Sequence, residues 1–235
     1  IEEYNTNNLT NITMPRNIYD MLYEKYIRKN GPNVEYNNFL RDVWIMYRRY
    51  ETFINIDSQS SSLQAAVPYS LMNYLNKSLD VNFECFASPI NSYLPNYCSA
   101  FNDTDENFGS SGSFFNYDST TGSYEVNPPF AENIMNLTVN HISNILSKSN
   151  EPLSFIIILP KWDDAYSIIT LRNSPFLVTE IVINAKQHSY RQSDQQKQFL
   201  AIHDTLVFIL QNKEGFEKWP IDHEIVNNII ISFKN

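Results

Sequence analysis

"SYEVNPPFAEN", residues 123 to 133, joins a strand-like run to a run of helical character through two consecutive prolines. Neither proline can donate to a strand ladder, so the strand Ser123-Tyr124-Glu125-Val126 must end at Asn127, in a rigid corner. Beyond the corner, Ile134, Leu137, His141, Ile145 and Leu146 recur at helical spacing, which predicts an amphipathic helix over about 131–148. "LSFIIILP", 153–160, follows as a continuous apolar run closed by proline, as expected of a strand buried on both faces. Strand, helix and buried strand make a βαβ unit. The corner therefore stands at the carboxyl end of a strand in an α/β sheet, where such sheets bind ligands.

Working outward, "VNFECFAS" (81–88), "TEIVINA" (179–185) and "DTLVFILQN" (204–212) read as further strands. "YCSAF" (97–101) is ambiguous. Only eight residues separate Ser88 from Tyr97, whereas a parallel crossover usually takes a dozen or more, so a short helix or irregular excursion competes with a strand there. Toward the amino terminus the pattern is helical. Residues 1–14 are Asn/Thr-rich and expected to fray; Pro15 opens a helix carrying Ile18, Met21, Leu22 and Tyr26; Gly31-Pro32-Asn33 breaks it. A second helix is predicted from Tyr36 to Phe53 and a third over 69–78, with "SQSSS" (58–62) as a linker between them. The division expected is a helical region over 1–62 and an α/β domain over 63–235.

Composition limits the partners. The chain has 235 residues, 43% of them hydrophobic, with a net charge of −9. Such acidity opposes non-specific nucleic-acid binding, so any such role needs a local patch. Cys85 and Cys98 form no CxxC pair and imply no metal site; two reduced cysteines of a nuclear or cytoplasmic protein are the expectation. No apolar run is long enough to span a membrane, and no signal peptide is seen. The sequons at Asn8, Asn11, Asn76, Asn102 and Asn136 read as products of asparagine bias rather than of secretion.

The corner also carries chemistry. Asn127 offers a side-chain acceptor, Pro128 a backbone carbonyl and Phe130 a flat apolar face, while Pro128 and Pro129 fix the direction of all three. Two acceptors and a ring suit a planar group bearing –NH2. Asn127-Pro128-Pro129-Phe130 resembles the [D/N]-P-P-[F/Y/W] motif of amino-methyltransferases that use S-adenosylmethionine. A rigid strand-to-helix corner with a core phenylalanine is the structural alternative.

Longer blocks resemble the catalytic domain of the phosphorylated-CTD-interacting factor family of cap-specific adenosine methyltransferases. They include "YRRY" (47–50), "LQAAVP" (63–68), "FECFASPIN" (83–91), "DTDENFGSSGSFF" (103–115), "GSYEVNPPF" (122–130), "EPLSFIIILPKW" (151–162), "HSYR" (188–191) and "FILQNKEGFEKW" (208–219). The resemblance implies a Rossmann-like methyltransferase domain with a small helical domain attached. It implies S-adenosylmethionine as cofactor, and methyl transfer to the 6-amino group of the adenosine next to the cap of capped RNA. Nothing in these blocks resembles the WW domain of larger members. By the same resemblance "ECFASPIN" stands at the first-strand cofactor loop without its usual glycines, which makes Glu84, Ala87, Ser88, Pro89 and Asn91 cofactor candidates. Asp103 and Asp105 lie at the interval where an acidic residue often holds a ribose, beside the small residues Gly109 to Gly112. For RNA, the candidates are Arg48 and Arg49 between Tyr47 and Tyr50, Trp162 after the buried strand, and His188, Tyr190 and Arg191 in a polar loop. Each has a bland counterpart: a solvated helix face, a core plug, an ordinary loop. Rival readings are an adenine methyltransferase on other RNA or DNA, a glutamine methyltransferase, and an inactive methyltransferase-like partner subunit.

Overall fold

A computed structural model describes residues 11–55, 65–191 and 198–234. The linker 58–62 and the tip of the polar loop, 192–197, fall outside that range, as does the expected domain boundary at 62/63.

The core is a six-stranded sheet. Its strands are β1 (Val81–Ala87), β2 (Asn96–Ser99), β3 (Gly122–Val126), β4 (Leu153–Pro160), β5 (Leu177–Ile183) and β8 (Thr205–Gln211). The spatial order is β2-β1-β3-β4-β8-β5. β2, β1, β3 and β4 pair in parallel, whereas β8 runs antiparallel to both β4 and β5. Inserting one reversed strand leaves β5 pointing the same way as β4. This is a mostly parallel Rossmann-like sheet.

β4 is buried at every position because both faces are covered. Phe155, Ile157 and Leu159 enter one apolar cluster with α5 (Glu132–Lys148) and α6 (Tyr166–Arg172). Ile156 and Ile158 enter the other with α3 (Tyr69–Leu79) and α8 (His223–Lys234). The alternation of successive side chains across a strand thus converts one apolar run into two cores. α5 forms where expected, but its buried stripe is Met135, Thr138, Val139, Ile142, Ile145 and Leu146; Leu137 is exposed.

β2 resolves the ambiguity of 97–101 in favour of a parallel strand. The crossover from β1 is short because it contains no helix. Ser88 to Ser92 make a tight turn, with the Asn91 and Ser92 amides donating to the Ser88 carbonyl. Glu84 Oε1 then accepts the Leu94 amide at 2.6 Å and pulls the return limb onto the sheet edge. The described part of the polar loop, 186–191, is likewise more ordered than expected: β6 (Ser189–Arg191) pairs with β7 (Gln198–Leu200).

The amino-terminal helices α1 (Arg16–Asn30) and α2 (Tyr36–Asn55) share a third cluster that also takes in Ile90 of the crossover and Phe108. They pack beside β2, and Lys25 of α1 reaches the crossover itself.

Candidate active site

β1 sends its chain to β2 on one side and, later, β3 pairs on its other side. The crevice at the carboxyl ends of these strands is the topological switch point of the sheet, the usual ligand site of such folds. A cavity of about 500 Å³ opens there.

Its walls come from five places, one of them Ala65 in the segment before α3. Cys85, Phe86 and Ala87 end β1, and Ser88 and Asn91 belong to the crossover turn. Ser99 and Ala100 end β2, faced by Tyr50 of α2. Ser113, Phe114 and Phe115 form an aromatic wall. Asn127, Pro128 and Pro129 close the β3 side, with Ile134 from the start of α5. Flat rings, small residues and a few amides suit a nucleoside-like ligand held by stacking and hydrogen bonds.

Asn127 is 8% exposed. Its Nδ2 donates to the Ala65 carbonyl at 2.7 Å, while its Oδ1 is a buried acceptor with no hydrogen-bond partner among the described residues. A buried orphan acceptor costs about 1–3 kcal/mol, so its persistence points to a donor that arrives from elsewhere. Phe130 does not form part of the cavity wall. It is half-buried, with its ring 5.9 Å from that of Tyr190 in an edge arrangement.

Ser88 and Asn91 lock the glycine-free cofactor loop. Asn91 Oδ1 accepts both the Ser88 amide (2.8 Å) and the Ser88 hydroxyl (2.9 Å). Pro89 lies behind the wall, where its carbonyl accepts from Lys25 Nζ at 2.8 Å. Lys25 also donates to Ser92, and burial holds its pKa down at about 8. Glu84 is also behind the wall. Burial raises its pKa to about 7 against the opposing pull of the Leu94 amide and Lys25. Its strand neighbour Glu125, in register on β3, is raised by burial and by Glu84.

The two aspartates separate. Asp103 is exposed and pairs with Arg49 at 2.9 Å. Asp105 is fully buried and accepts from Tyr50 (2.6 Å) and Thr104 (2.9 Å). It meets the cavity through Tyr50 and Ser99 and is not itself in the wall, so direct ribose contact by either aspartate is not what this arrangement offers. Gly109 caps a short turn at φ +92°, away from the cavity wall. Gly112 makes the close approach expected of this stretch: at φ +84° its carbonyl accepts the Ser99 amide at 2.8 Å, and a Cβ would meet Asn102 Oδ1 at 3.0 Å.

Of the RNA candidates, Trp162 is 38% exposed at the carboxyl end of β4. Arg48 pairs with Glu51 on α2. His188, Tyr190 and Arg191 are 1%, 3% and 2% exposed, which removes them from direct RNA contact. Burial depresses the His188 pKa, and its Nε2 meets the Thr205 hydroxyl at 2.8 Å. Sequence reasoning did not single out Tyr50, Ser99, Phe114 or Phe115 as cavity residues. "SFF", immediately after the glycine-bearing stretch, was the available signal.

The family model described as "Phosphorylated CTD interacting factor 1 WW domain" matches residues 17–193, which here fold into α1 through β6. The chain belongs to this family. Two relatives named mRNA (2'-O-methyladenosine-N(6)-)-methyltransferase align with it: one from Homo sapiens at 33% identity and one from Mus musculus at 34%. Each alignment covers 95% of this chain and 33% of the relative, so the chain spans about a third of the length of the curated relatives it matches. The aligned region includes the whole cavity and the Asn127-Pro128-Pro129-Phe130 corner.

Proposed function

We propose that this domain is an S-adenosylmethionine-dependent methyltransferase acting on the 6-amino group of the adenosine beside the cap of capped mRNA. The single observation that carries the reading is the orphaned Oδ1 of Asn127, buried at a cavity of about 500 Å³ at the switch point of the sheet. The relatives' name supports the substrate class.

The residues present fit the cofactor. Phe86, Phe114 and Phe115 provide ring faces, and Ala87, Ser88, Asn91, Ser99 and Ala100 a close wall with polar groups. Bound there, the cofactor supplies an electrophilic methyl group on a sulfonium. The rest of the chemistry belongs to the protein. An adenine amine is a weak nucleophile because its lone pair is conjugated with the ring. Asn127 Oδ1 and the Pro128 carbonyl accept its two hydrogens and draw the nitrogen toward a pyramidal geometry, which frees the lone pair. With the donor held there, the N–C bond would form as the donor's S–C bond breaks, and the surplus proton on nitrogen would leave to water after transfer. Acceptors aimed in advance at the developing charge on nitrogen lower the barrier without reorganising. Phe130, outside the cavity wall, anchors the end of the corner against Tyr190.

The test is methyl transfer from labelled S-adenosylmethionine to matched capped RNAs that begin with adenosine or guanosine. Label should appear as N6-methyladenosine in the first RNA alone. Transfer to a guanosine-initiated RNA lacking adenosine, or to neither RNA by the folded, cofactor-binding protein, would overturn the assignment.

A further inference from the structure

Asn127 has to present oxygen, not nitrogen, to an amine. The two ends of a primary amide have nearly the same shape, so packing alone does not choose between them. A flipped side chain would set a donor against a donor. The choice is made by one bond, from Nδ2 to the Ala65 carbonyl at 2.7 Å. Ala65 lies outside every helix and strand, so its carbonyl is only as well placed as the segment that carries it.

Beside the packing of Ala65 and Val67 in an apolar cluster, Arg191 holds that segment by three hydrogen bonds. The Ala66 amide donates to the Arg191 carbonyl (2.9 Å) and the Arg191 amide returns a bond to the Ala66 carbonyl (2.7 Å). Arg191 Nε then donates to the Val67 carbonyl at 2.8 Å, across 124 residues of sequence. The guanidinium lies 3.7 Å from the centre of the Tyr69 ring and is buried at 2% exposure. It also borders a cavity of about 10 Å³, shared with Glu84, Glu125 and Asn127, and its two terminal nitrogens make no hydrogen bond within the described residues. Beside this buried cation lie the carboxyl groups of Glu84 and Glu125, each held above its usual pKa by burial. The guanidinium's planar face and its Nε direction leave it one orientation.

We propose that Arg191 is a positioning residue for the amino-group acceptor: it fixes residues 65–67 so that the Ala65 carbonyl keeps the Asn127 amide turned with its oxygen toward the substrate. This rests on the reading of Asn127 as that acceptor. Lysine cannot replace it, because an ammonium is a point charge without the planar fork that stacks on Tyr69 and bonds Val67 together.

The experiment is a double-mutant cycle on the full chain with Arg191→Lys and Asn127→Ala, read as methyl-transfer turnover, KM for capped RNA, and cofactor affinity by calorimetry. Arg191→Lys should lower turnover by about 10-fold or more while cofactor affinity and KM move less than about 2-fold. The double variant should be no slower than Asn127→Ala alone, because residues acting through one group do not add. If the double variant loses a further factor equal to that of Arg191→Lys, or if Arg191→Lys keeps full turnover, the positioning role is refuted. Near-full turnover in Asn127→Ala would instead sink the acceptor reading, and the proposal with it. Arg191→Met extends the cycle where it folds; Arg191→Lys, which keeps the buried charge, carries the cycle alone where it does not.

Discussion

Glu84 is a carboxylate sealed from water that nevertheless has a task, since it accepts the Leu94 amide and so closes the crossover between β1 and β2. Burial raises its folded pKa from 4.5 to about 7. The folded state therefore binds this proton more tightly than the unfolded chain. The stability so gained is fully present below the unfolded value and is lost as pH rises through about 7. Glu125, raised by burial and by Glu84, acts in the same direction. Glu84→Gln keeps an oxygen for the Leu94 amide and removes one titration. Its melting temperature should fall less than that of the wild type between about pH 5 and 7.5; parallel curves by scanning calorimetry would show that Glu84 does not titrate in this window. Asn127 carries the second prediction at this scale. Asn127→Ala should lower turnover by about 10²-fold, a few kcal/mol, with cofactor affinity little changed, since the lost acceptor acts on the transition state. Single-turnover rates and calorimetry check the two halves. Asn127 was legible in the sequence because the motif that singles it out is local, written into four consecutive residues. Arg191 was legible only as an RNA candidate in a polar loop, because its partners Ala66 and Val67 lie more than 120 positions away and burial is a property of the assembled fold.

The same contrast holds for elements. β4 and β8 could be read because each is a largely apolar run buried at every position, and β3 because a βαβ unit announces itself by alternating periods. β2 could not, because the rule for parallel crossovers assumes a helix in the connection. Here a turn at Ser88–Ser92, the Glu84 carboxylate and Lys25 replace it. Lys25 belongs to α1, so the helical layer is part of the cofactor loop's support. Lys25→Met removes the donor to the Pro89 and Ser92 groups at nearly constant apolar bulk. It should loosen the loop and weaken S-adenosylmethionine binding by about 10-fold, or about 1.4 kcal/mol. Calorimetric titration of the folded variant with unchanged affinity would make α1 a mere neighbour of the site. The aromatic wall was missed for a related reason. Phe114 and Phe115 lie on a short turn with no period to read, and only the closure of β2 against residues 110–112 brings them to the cavity.

At the scale of the whole molecule the question is how, on the proposed reading, a chain of net charge −9 would select a polyanion. The basic cluster picked out on α2 does not answer it, since Arg48 is engaged by Glu51, and Arg49 by Asp103 with its guanidinium 5.3 Å from the Phe101 ring centre. A capped end offers a different handle. Its 7-methylguanine is a flat ring bearing positive charge, which an aromatic face with acidic neighbours attracts by stacking and cation–π interaction. Trp162 is half-exposed just past the carboxyl end of β4, the strand that pairs directly with β3 beside Asn127, and is followed by the exposed Asp163, which also pairs with Arg172, and by the exposed Asp164. Acidity that repels phosphates then favours the cap. A general adenine enzyme would be indifferent to the 5′ end, whereas an enzyme that uses remote binding energy to place the adenosine depends on it. Capped RNA should therefore show at least about 10-fold higher kcat/KM than triphosphate-ended RNA of the same sequence, about 1.4 kcal/mol. Trp162→Ala should shrink that ratio toward one while leaving the rate on uncapped RNA near its original value. Steady-state kinetics on the two RNAs with both proteins decide it. Equal rates on capped and uncapped RNA would remove the cap from the assignment and leave the adenine chemistry, and a ratio unchanged by Trp162→Ala would place the cap contact elsewhere on the molecule.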